Sequence, residues 1–304
     1  MPSLRLLTWN CHHGALDACL ADVSELSPDV AFVQEWMPST SALLPAGVVG
    51  RQVRPRKGIA LTAVNAAYTL TDIAIPAGAG QATIAARVTG PVSFTAIGLW
   101  AQTPKYVDDV LQSVTASAEL IRSGPTVVMG DFNSGTNLGG TPALTRGHLR
   151  IVDGLGALGL VSAYHAFHKI DHGREPHATY RHQFKASQPW HLDFCFVPKA
   201  WAERISAVEV ISRDKWDERS DHRPVQVDLH PLAPDRTRRI TLSHAFRRDV
   251  RRRSHLAFCE DDARLAALVC DEAVESGSGG GVHGTRPAHF RRGPGRTVGR
   301  RDGV

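Results

Sequence analysis

The strongest constraint on the fold is a set of short apolar segments, each with a polar side chain in or at the end of a strand-like run. In chain order they read TWNC (8–11), VQEW (33–36), VVMGDFNS (127–134), WHLDFCFVP (190–198) and SDHRP (220–224). An amide or carboxylate within an apolar strand is costly unless it is paired or faces a solvated site. If these strands lie in two facing sheets, their polar groups can converge on one rim.

The first part of the chain alternates between strand and helix patterns. Residues 4–10 and 29–36 are predicted strands, and the helical spacing of Leu16, Leu20 and Val23 predicts a helix over 15–26 between them. Short β-rich runs broken by Gly, Pro and Asn then predict an antiparallel meander over 58–64, 69–75, 82–88 and 92–99.

The second part repeats the alternation. The SGP tripeptide at 123–125 is a strong stop signal, so a helix is predicted over 106–122. The remaining predicted elements are a strand at 126–130, a helix around 149–158, and strands near 178–183, 192–197, 207–211 and 225–229. Two rounds of sheet and helix predict an α/β fold, a four-layer α/β/β/α sandwich of two packed mixed sheets with outer helices.

Charge divides the chain near residue 231. Residues 231–304 carry 15 arginines, no lysine and 9 acidic residues, so the excess positive charge lies there and residues 1–230 are nearly neutral. We predict a folded domain over 1–230 and an Arg/Gly-rich, mostly disordered tail over 231–304, with an amphipathic helix candidate at 263–274. The tail could contact nucleic acid, but a solvated extension is the favoured interpretation.

Composition argues against several classes of protein. No run of eighteen apolar residues is present, so no membrane-spanning helix is predicted. The N-terminal residues lack a long apolar region and a small-residue cleavage site, so a secretory signal is not expected. The five cysteines are odd in number and lack CxxC spacing, which favours free thiols in a reducing compartment and a cytoplasmic location.

Two of the segments carry the clearest chemistry. Asp131 and Asn133 are two residues apart, so an extended segment would place a carboxylate and an amide donor on one face. The same pair is equally favoured in a simple turn. Asp221 and His222 are adjacent, so each requires its own partner. Carboxylates with amides suit a hard cation such as Mg²⁺, and a carboxylate-paired histidine suits the charge of a phosphoryl transition state.

The ordered motifs TWN, QE, GDFN, LDF and SDHRP closely resemble the endonuclease/exonuclease/phosphatase superfamily. This is the fold of deoxyribonuclease I-like nucleases, apurinic-site nucleases, inositol-phosphate 5-phosphatases and bacterial sphingomyelinases. The resemblance covers about residues 4–230 and implies the same four-layer sandwich. It also implies a metal-dependent hydrolase of phosphate esters, with Mg²⁺ or Mn²⁺ as the cofactor and water attacking in line.

By this resemblance, Glu35 binds the divalent metal, Asn10 lies in its shell near the phosphate, and Asp221 lies near the metal. Four other residues are implied in catalysis. Asp131 orients or deprotonates the attacking water, and Asn133 holds a phosphate oxygen. His222 contacts the scissile phosphate, with Asp193 hydrogen-bonded to the other nitrogen of its ring.

One position departs from the family pattern. After the strand at 92–99 many members carry a histidine, or a tyrosine in the apurinic-site nucleases, whereas this chain has Trp100. Indole donates one hydrogen bond and cannot shuttle a proton, so a mechanism with a second histidine–carboxylate pair is not expected. Trp100, Lys57 and Arg181 are weaker candidates for substrate binding.

Histidines are concentrated between residues 165 and 191. The spacing His165-x₂-His168-x₃-His172 permits zinc binding. No cysteine lies nearby, so polar loop residues are the favoured interpretation.

A nuclease is the predicted activity, acting as a monomer on a phosphate-ester substrate such as DNA or RNA. One alternative is a phosphatase or a lipid or inositol-phosphate phosphodiesterase of the same fold. Another is a non-catalytic nucleic-acid-binding module that acts through the basic tail. The intact set of polar residues argues against the binding module, because a degenerate copy would have lost at least one of them.

Overall fold

The computed structural model describes residues 3–38, 44–136, 138 and 142–230. The predicted tail at 231–304, the helix candidate at 263–274, Cys259 and Cys270 lie outside the described residues. The other three cysteines, Cys11, Cys19 and Cys195, are free and buried. Within the described part of the chain, no helix is both long and apolar enough to cross a membrane.

The first six-stranded sheet contains the first and the last strand of the described residues. Its strands are β1 (Leu4–Asn10), β2 (Val30–Trp36), β3 (Val48–Arg54), β4 (Lys57–Ala63), β13 (Ile205–Val210) and β14 (Val225–Leu229). Their order is β13-β14-β1-β2-β4-β3. Strands β1 and β2 are parallel, while β14 runs antiparallel to β1.

The second six-stranded sheet contains the middle of the chain. Its strands are β5 (Thr69–Ile73), β6 (Thr83–Thr89), β7 (Phe94–Trp100), β8 (Thr126–Asp131), β9 (Leu160–Ser162) and β12 (Asp193–Pro198), in the order β5-β6-β7-β8-β12-β9. Strands β7 and β8 are parallel, and β12 runs antiparallel to β8. A separate hairpin pairs β10 (Tyr180–Arg181) with β11 (Pro189–Trp190).

Helices cover the outer faces of the two sheets, except that the short helix Ala163–His168 contributes Ala163 and Tyr164 to the core between them. They are α1 (Leu16–Glu25), α2 (Tyr106–Ala116), α3 (Ala118–Arg122), α4 (Pro142–Ala157), α5 (Ala163–His168) and α6 (Asp214–Arg219). Helix α1 packs on the first sheet, where its Val23 shares a buried cluster with Trp9. Helices α2 and α4 pack on the second sheet, where Val114 and Ile151 share a cluster with Phe196. The predicted four-layer sandwich is therefore confirmed.

The residues of β1 explain why this sheet is buried on both faces. Leu4 and Leu6 belong to the core between the sheets, whereas Leu7 and Trp9 belong to the cluster under α1. Successive side chains on a strand point to opposite faces, so a strand covered on both sides reads as a nearly continuous apolar run.

The predicted antiparallel meander over 58–99 is wrong as one unit. Strand β4 pairs with β2 and β3 in the first sheet, and β5, β6 and β7 pair in the second. The chain therefore crosses between sheets after Ala63. Local alternation identifies strands but does not show which sheet each one joins. Strand β3 was not predicted, because its partly exposed VVGRQVR sequence lacks a clear apolar pattern.

Several helix boundaries also differ from the prediction. The helix expected over 106–122 is divided at Ser117 into α2 and α3. Helix α4 begins at Pro142 instead of near 149. The strand expected over 178–183 forms only Tyr180–Arg181. The six-residue helices α5 and α6 were not predicted, because so short a helix shows less than two turns of periodicity.

Candidate active site

Strand pairing brings the polar ends of the motif segments to one edge of the sandwich. In the first sheet, parallel pairing places Asn10 of β1 opposite Gln34, next to Glu35. In the second sheet, Asp131 at the end of β8 pairs with Asp193 at the start of β12. His222 precedes β14, which pairs with the end of β1. Motif segments that are far apart in the sequence therefore end close together in space.

Asn10 links the two sheets. Its side-chain Nδ2 donates to Glu35 Oε1 at 3.2 Å and to Asp131 Oδ2 at 3.0 Å. Its Oδ1 accepts a hydrogen bond from the His12 backbone N–H at 3.1 Å. Asn10 is 1% exposed, so a smaller or apolar side chain here would leave the buried Asp131 and the half-buried Glu35 without a shared donor.

Glu35 lies at a bulge in β2. The register between β2 and β4 shifts between Gln34 and Trp36, and Glu35 has a φ of 63°. A β-bulge at the end of a strand re-aims a side chain, and here the carboxylate of Glu35 contacts the Lys57 ammonium. Gly58 permits this arrangement, because a Cβ there would lie 2.3 Å from the Trp36 ring.

Left-handed backbone is concentrated at this edge. His12, His13 and Asn133 have φ values of 44°, 68° and 46°, in addition to Glu35. Such values are uncommon for residues with a side chain, and they cluster at functional sites. They turn the chain sharply where β1, β2 and β8 end.

Asp131 is fully buried and held by amide donors. The Asn133 backbone N–H donates to Oδ1 and the Asn133 side-chain Nδ2 donates to Oδ2, both at 2.9 Å. The pair thus comes together through a turn and not through an extended strand. Burial raises the pKa of Asp131 to about 7, although His222 and the amide donors oppose this shift. Gly130 before it has a φ of 148°, and a Cβ there would lie 1.8 Å from the Leu99 carbonyl oxygen.

His222 is paired with a carboxylate through each of its ring nitrogens. Its Nδ1 lies 2.9 Å from Asp193 Oδ2, and its Nε2 lies 3.8 Å from Asp131 Oδ2. Burial lowers the pKa of His222, but the charges of Asp193 and Asp131 outweigh burial and raise it to about 10. The two carboxylates therefore favour the protonated form of the ring.

Asp221 has a different partner from His222. Its Oδ1 lies 3.1 Å from His12 Nδ1. This contact raises the pKa of His12. Burial raises the pKa of Asp221, but the His12 ring and the His222 charge outweigh it, so the pKa is lowered overall.

The candidate residues line one open cleft. Side chains from both halves of the sandwich line the cleft. They are His12, His13, Glu35, Arg54, Lys57, Trp100, Gln102, Tyr106, Asn133, Tyr180, Asp221 and His222. Asp131 and Asp193 lie directly behind the His222 ring. Lys57 lies 5.5 Å and Arg54 5.8 Å from the centre of the Trp100 ring, so two cations border this part of the cleft.

The Glu35 corner provides donors that suit a divalent metal. Ligand atoms of His12, His13 and Glu35 all lie within 4.8 Å of one another. The Asp221 carboxylate contacts His12, so a second carboxylate is adjacent. Asn10, by contrast, presents its Nδ2 to Glu35 and its Oδ1 to the His12 N–H. Carboxylate oxygens suit Mg²⁺ or Mn²⁺.

Arg181 does not have the position expected for a substrate ligand. It is 9% exposed, and its Nη2 donates to the carbonyl oxygens of Asp217 at 2.8 Å and Ser220 at 3.0 Å. The guanidinium is used to hold the segment before Asp221. Trp100, by contrast, is 4% exposed but borders the cleft, and Lys57 also lines it.

Sequence reasoning missed several residues of the cleft. Tyr106 begins α2 and Tyr180 belongs to the hairpin, and burial raises the pKa of both phenols, that of Tyr180 to about 12. The Tyr180 ring lies 4.5 Å from the His222 ring. His12 and His13 directly follow the TWNC motif, which was a usable signal. Tyr106 and Arg54 carried none, because they lie outside every motif.

The histidines between 165 and 191 do not all behave as polar loop residues. His165 is 7% and His191 1% exposed, and both lie close to the buried His148. Burial lowers the pKa of His148 and of His191 to about 4. The loop interpretation is therefore wrong for His165, which lies in α5. His191 lies in the connection between β11 and β12 as a loop residue, but it is buried and not solvated.

Comparison with known proteins identifies the family of this chain. The model of the Endonuclease/Exonuclease/phosphatase family matches residues 7–222. No curated protein matches the chain by sequence.

Solved structures share the fold. An AP endonuclease from Archaeoglobus fulgidus is 17% identical with a TM-score of 0.58, covering 74% of this chain and 99% of its own. A variant of the 3' phosphatase NExo from Neisseria, bound to product DNA hairpin, is 19% identical with a TM-score of 0.54, covering 75% and 99%. The 3'-5' exonuclease NExo from Neisseria meningitidis is 20% identical with a TM-score of 0.53, covering 74% and 99%. The family match spans most of the chain, from residue 7 to His222, so this protein belongs to the Endonuclease/Exonuclease/phosphatase family of phosphoester hydrolases.

Proposed function

We propose that this protein is a Mg²⁺- or Mn²⁺-dependent phosphodiesterase, and that its substrate is a nucleic acid. The observation that carries the proposal is the buried triad of Asp131, His222 and Asp193, in which the His222 ring lies between two carboxylates at the floor of a cleft, 2.9 Å from Asp193 and 3.8 Å from Asp131. The charges of both carboxylates raise the pKa of the ring. A structural role alone does not require a charged imidazole at a solvent-facing cleft. A phosphoryl transition state does, because negative charge develops on its oxygens.

Glu35, with Asn10 and Asp221 nearby, would hold the metal. The metal, when bound, would polarise a phosphoryl oxygen and share its charge. His222 would donate a hydrogen bond to the scissile phosphate, and Asp193 would keep the ring charged and oriented. Asp131 would accept the proton of the attacking water, and Asn133 would donate to a phosphate oxygen. Lys57 and Trp100 border the cleft where the rest of the substrate would lie.

The nucleic-acid substrate is supported by two features. Arg54 and Lys57 place positive charge at the rim beside an aromatic ring, which suits a phosphate chain with stacked bases. The solved neighbours include an AP endonuclease and a 3' phosphatase bound to a DNA hairpin.

A turnover screen tests the substrate class. Purified protein with Mg²⁺ or Mn²⁺ would be assayed against plasmid DNA, single-stranded oligonucleotides, RNA, inositol phosphates and sphingomyelin. Cleavage of nucleic acid that is abolished by EDTA is the expected result. Turnover of only inositol phosphates or sphingomyelin would contradict the nuclease proposal and support a phosphatase or a lipid or inositol-phosphate phosphodiesterase. Binding of nucleic acid without any turnover would support the non-catalytic module.

The pH profile is expected to be bell-shaped. Asp131 must be ionised to accept a proton, so kcat/KM should rise as pH increases through about 7. His222 must be protonated to donate, so kcat/KM should fall as pH approaches about 10. The two groups interact, so the limbs report the pair. The measurement uses a phosphodiester that does not titrate between pH 5 and 11 under saturating metal. A flat profile between pH 6 and 8 would contradict the role of Asp131.

We also propose that the folded domain ends near residue 230. A chain ending at Pro231 is expected to fold and to keep its turnover on a small chromogenic phosphodiester, because every motif and β14 precede that point. Its affinity for DNA or RNA should be weaker than that of the full chain at low salt. That difference should shrink at high salt, because the 231–304 segment carries the excess positive charge. Aggregation, or lost turnover on the small substrate, would show that the tail belongs to the fold.

A further inference from the structure

A second group of ligand-type side chains lies outside the cleft. This histidine cluster consists of His148, His165, His172, Glu175 and His191. His148 is 0% and His191 1% exposed, and the Glu175 side chain is 2% exposed. Ligand atoms of His165, His172 and Glu175 all lie within 4.8 Å of one another. The candidate active site uses none of these residues.

The hydrogen bonds of His191 leave a buried lone pair. Its Nδ1 lies 2.8 Å from the carbonyl oxygen of His177. A carbonyl only accepts, so Nδ1 carries the proton and Nε2 bears the lone pair. Nε2 is buried and has no hydrogen-bond partner among the described residues. A ring nitrogen bound to metal commonly belongs to a histidine whose other nitrogen donates to a carbonyl in this way.

Two further rings are oriented by hydroxyl groups. His148 Nδ1 lies 3.1 Å from Ser134 Oγ, and His165 Nδ1 lies 2.8 Å from Ser162 Oγ. Each contact leaves Nε2 directed to another member of the cluster. His148 Nε2 lies 3.4 Å from His172 Nδ1, and His165 Nε2 lies 2.9 Å from Glu175 Oε1.

The spacing suits tetrahedral coordination. Zinc–ligand bonds of about 2.0–2.1 Å place neighbouring ligand atoms of a tetrahedron about 3.3 Å apart. The separations of 3.4 Å between His148 Nε2 and His172 Nδ1 and of 2.9 Å between His165 Nε2 and Glu175 Oε1 are close to that value. The His165 and His172 rings are stacked, with centroids 3.5 Å apart and planes 18° apart, so one of them must rotate for both to face one ion. Mg²⁺ is a poor match, because it takes oxygen ligands, whereas imidazole nitrogens with one carboxylate suit Zn²⁺.

We propose that the histidine cluster is a structural zinc site, with His165, His172 and Glu175 as ligands and an imidazole of His148 or His191 completing the tetrahedron. Ser134 directly follows Asn133, and His191 lies two residues before Asp193. With His148 as the fourth ligand, the zinc steadies the segment after β8 through Ser134. With His191 as the fourth ligand, it steadies the segment that leads into β12.

The test uses the full chain carrying Glu35→Gln. This substitution weakens metal binding at the candidate active site, where Glu35 lies beside His12 and His13. After chelation, the protein is loaded with Zn²⁺, passed through a desalting column and analysed for metal. One tightly held Zn²⁺ per chain is expected, together with a higher Tm than that of the metal-free protein. Substitution of Co²⁺ should give the visible absorption of tetrahedral cobalt. Failure to retain any Zn²⁺ would overturn the proposal.

Two variants assign the site. In the same background, His172→Gln and Glu175→Gln should each lower zinc affinity by at least about 100-fold, as removal of a ligand should cost no less than loss of an outer-shell partner. His182→Gln is the matched control, because its ring contacts the Tyr180 hydroxyl and not the histidine cluster, and it should retain zinc. Equal zinc retention by all three variants would place the metal elsewhere.

If the ligand variants do not fold, ring ¹⁵N spectra of the Glu35→Gln protein show which histidines bind the zinc. Zinc must shift the cluster histidines, and shifts confined to His12 and His13 would overturn the assignment.

Discussion

Replacement of His222 by alanine is expected to lower kcat by at least about 10³-fold, since it removes a buried hydrogen-bond donor and a positive charge from the scissile phosphate. Asp193→Asn should have a smaller effect, because asparagine can still accept from Nδ1 and keep the ring in place while its charge is lost. An orienting carboxylate generally contributes less than the group that it orients. Both variants are measured by steady-state turnover at saturating Mg²⁺.

His230→Ala is the matched control for this experiment, because His230 is exposed at the end of the described chain. It should show wild-type turnover. Circular dichroism and Tm would verify that His222→Ala folds, since the variant leaves Asp131 and Asp193 without the cation between them. Wild-type rates in both His222→Ala and Asp193→Asn would remove His222 from the mechanism.

Glu35→Gln is expected to raise the Mg²⁺ concentration for half-maximal activity by at least about tenfold and to lower turnover at limiting metal by about 10²-fold or more. The variant is nearly isosteric, so it removes one hard oxygen charge and leaves the shape of the rim unchanged. Folding should be preserved, because Glu35 lies at a strand end beside the cleft and contributes little to the core. The measurement is a metal titration of initial rate.

Glu209→Gln provides the control for the metal titration. Glu209 is an exposed residue of β13, so the same chemical change there should leave the titration curve unchanged. Near wild-type turnover of Glu35→Gln at limiting Mg²⁺ would show that the metal is held by other residues. His12 and His13 would then be the next candidates to replace.

The sequence was most informative for the central strands. Strands β1, β2, β8 and β12 are buried on both faces, so each appears as an apolar run with a polar residue where it leaves the core. A buried carboxylate in such a run is costly unless it is paired or faces a solvated site, which is why Asp193 could be predicted as a site residue. The convergence of the five segments followed from the sheet architecture and from the family resemblance.

The features that could not be predicted depend on contacts distant in sequence. Nothing in VVGRQVR indicates that β3 is the edge strand of the first sheet, because an edge strand is only partly buried. Arg54 reaches the cleft at the end of β3, and Tyr106 reaches it at the start of α2. Arg181 was predicted as a phosphate ligand because the sequence does not show whether an arginine is exposed or buried. Its burial is decided by the carbonyl groups of residues 217 and 220.

The strand order of the first sheet also has a consequence for biosynthesis. Strand β14 is inserted between β13 and β1, so the last strand of the domain pairs directly with the first. A growing chain therefore cannot complete this sheet until residues 225–229 have been translated, and β1 must wait with one edge open. The histidine at the floor of the cleft arrives only just before that strand. A chain that ends before β14 consequently has no assembled form of the proposed hydrolytic site, so the proposed activity can begin only after residues 225–229 have left the ribosome.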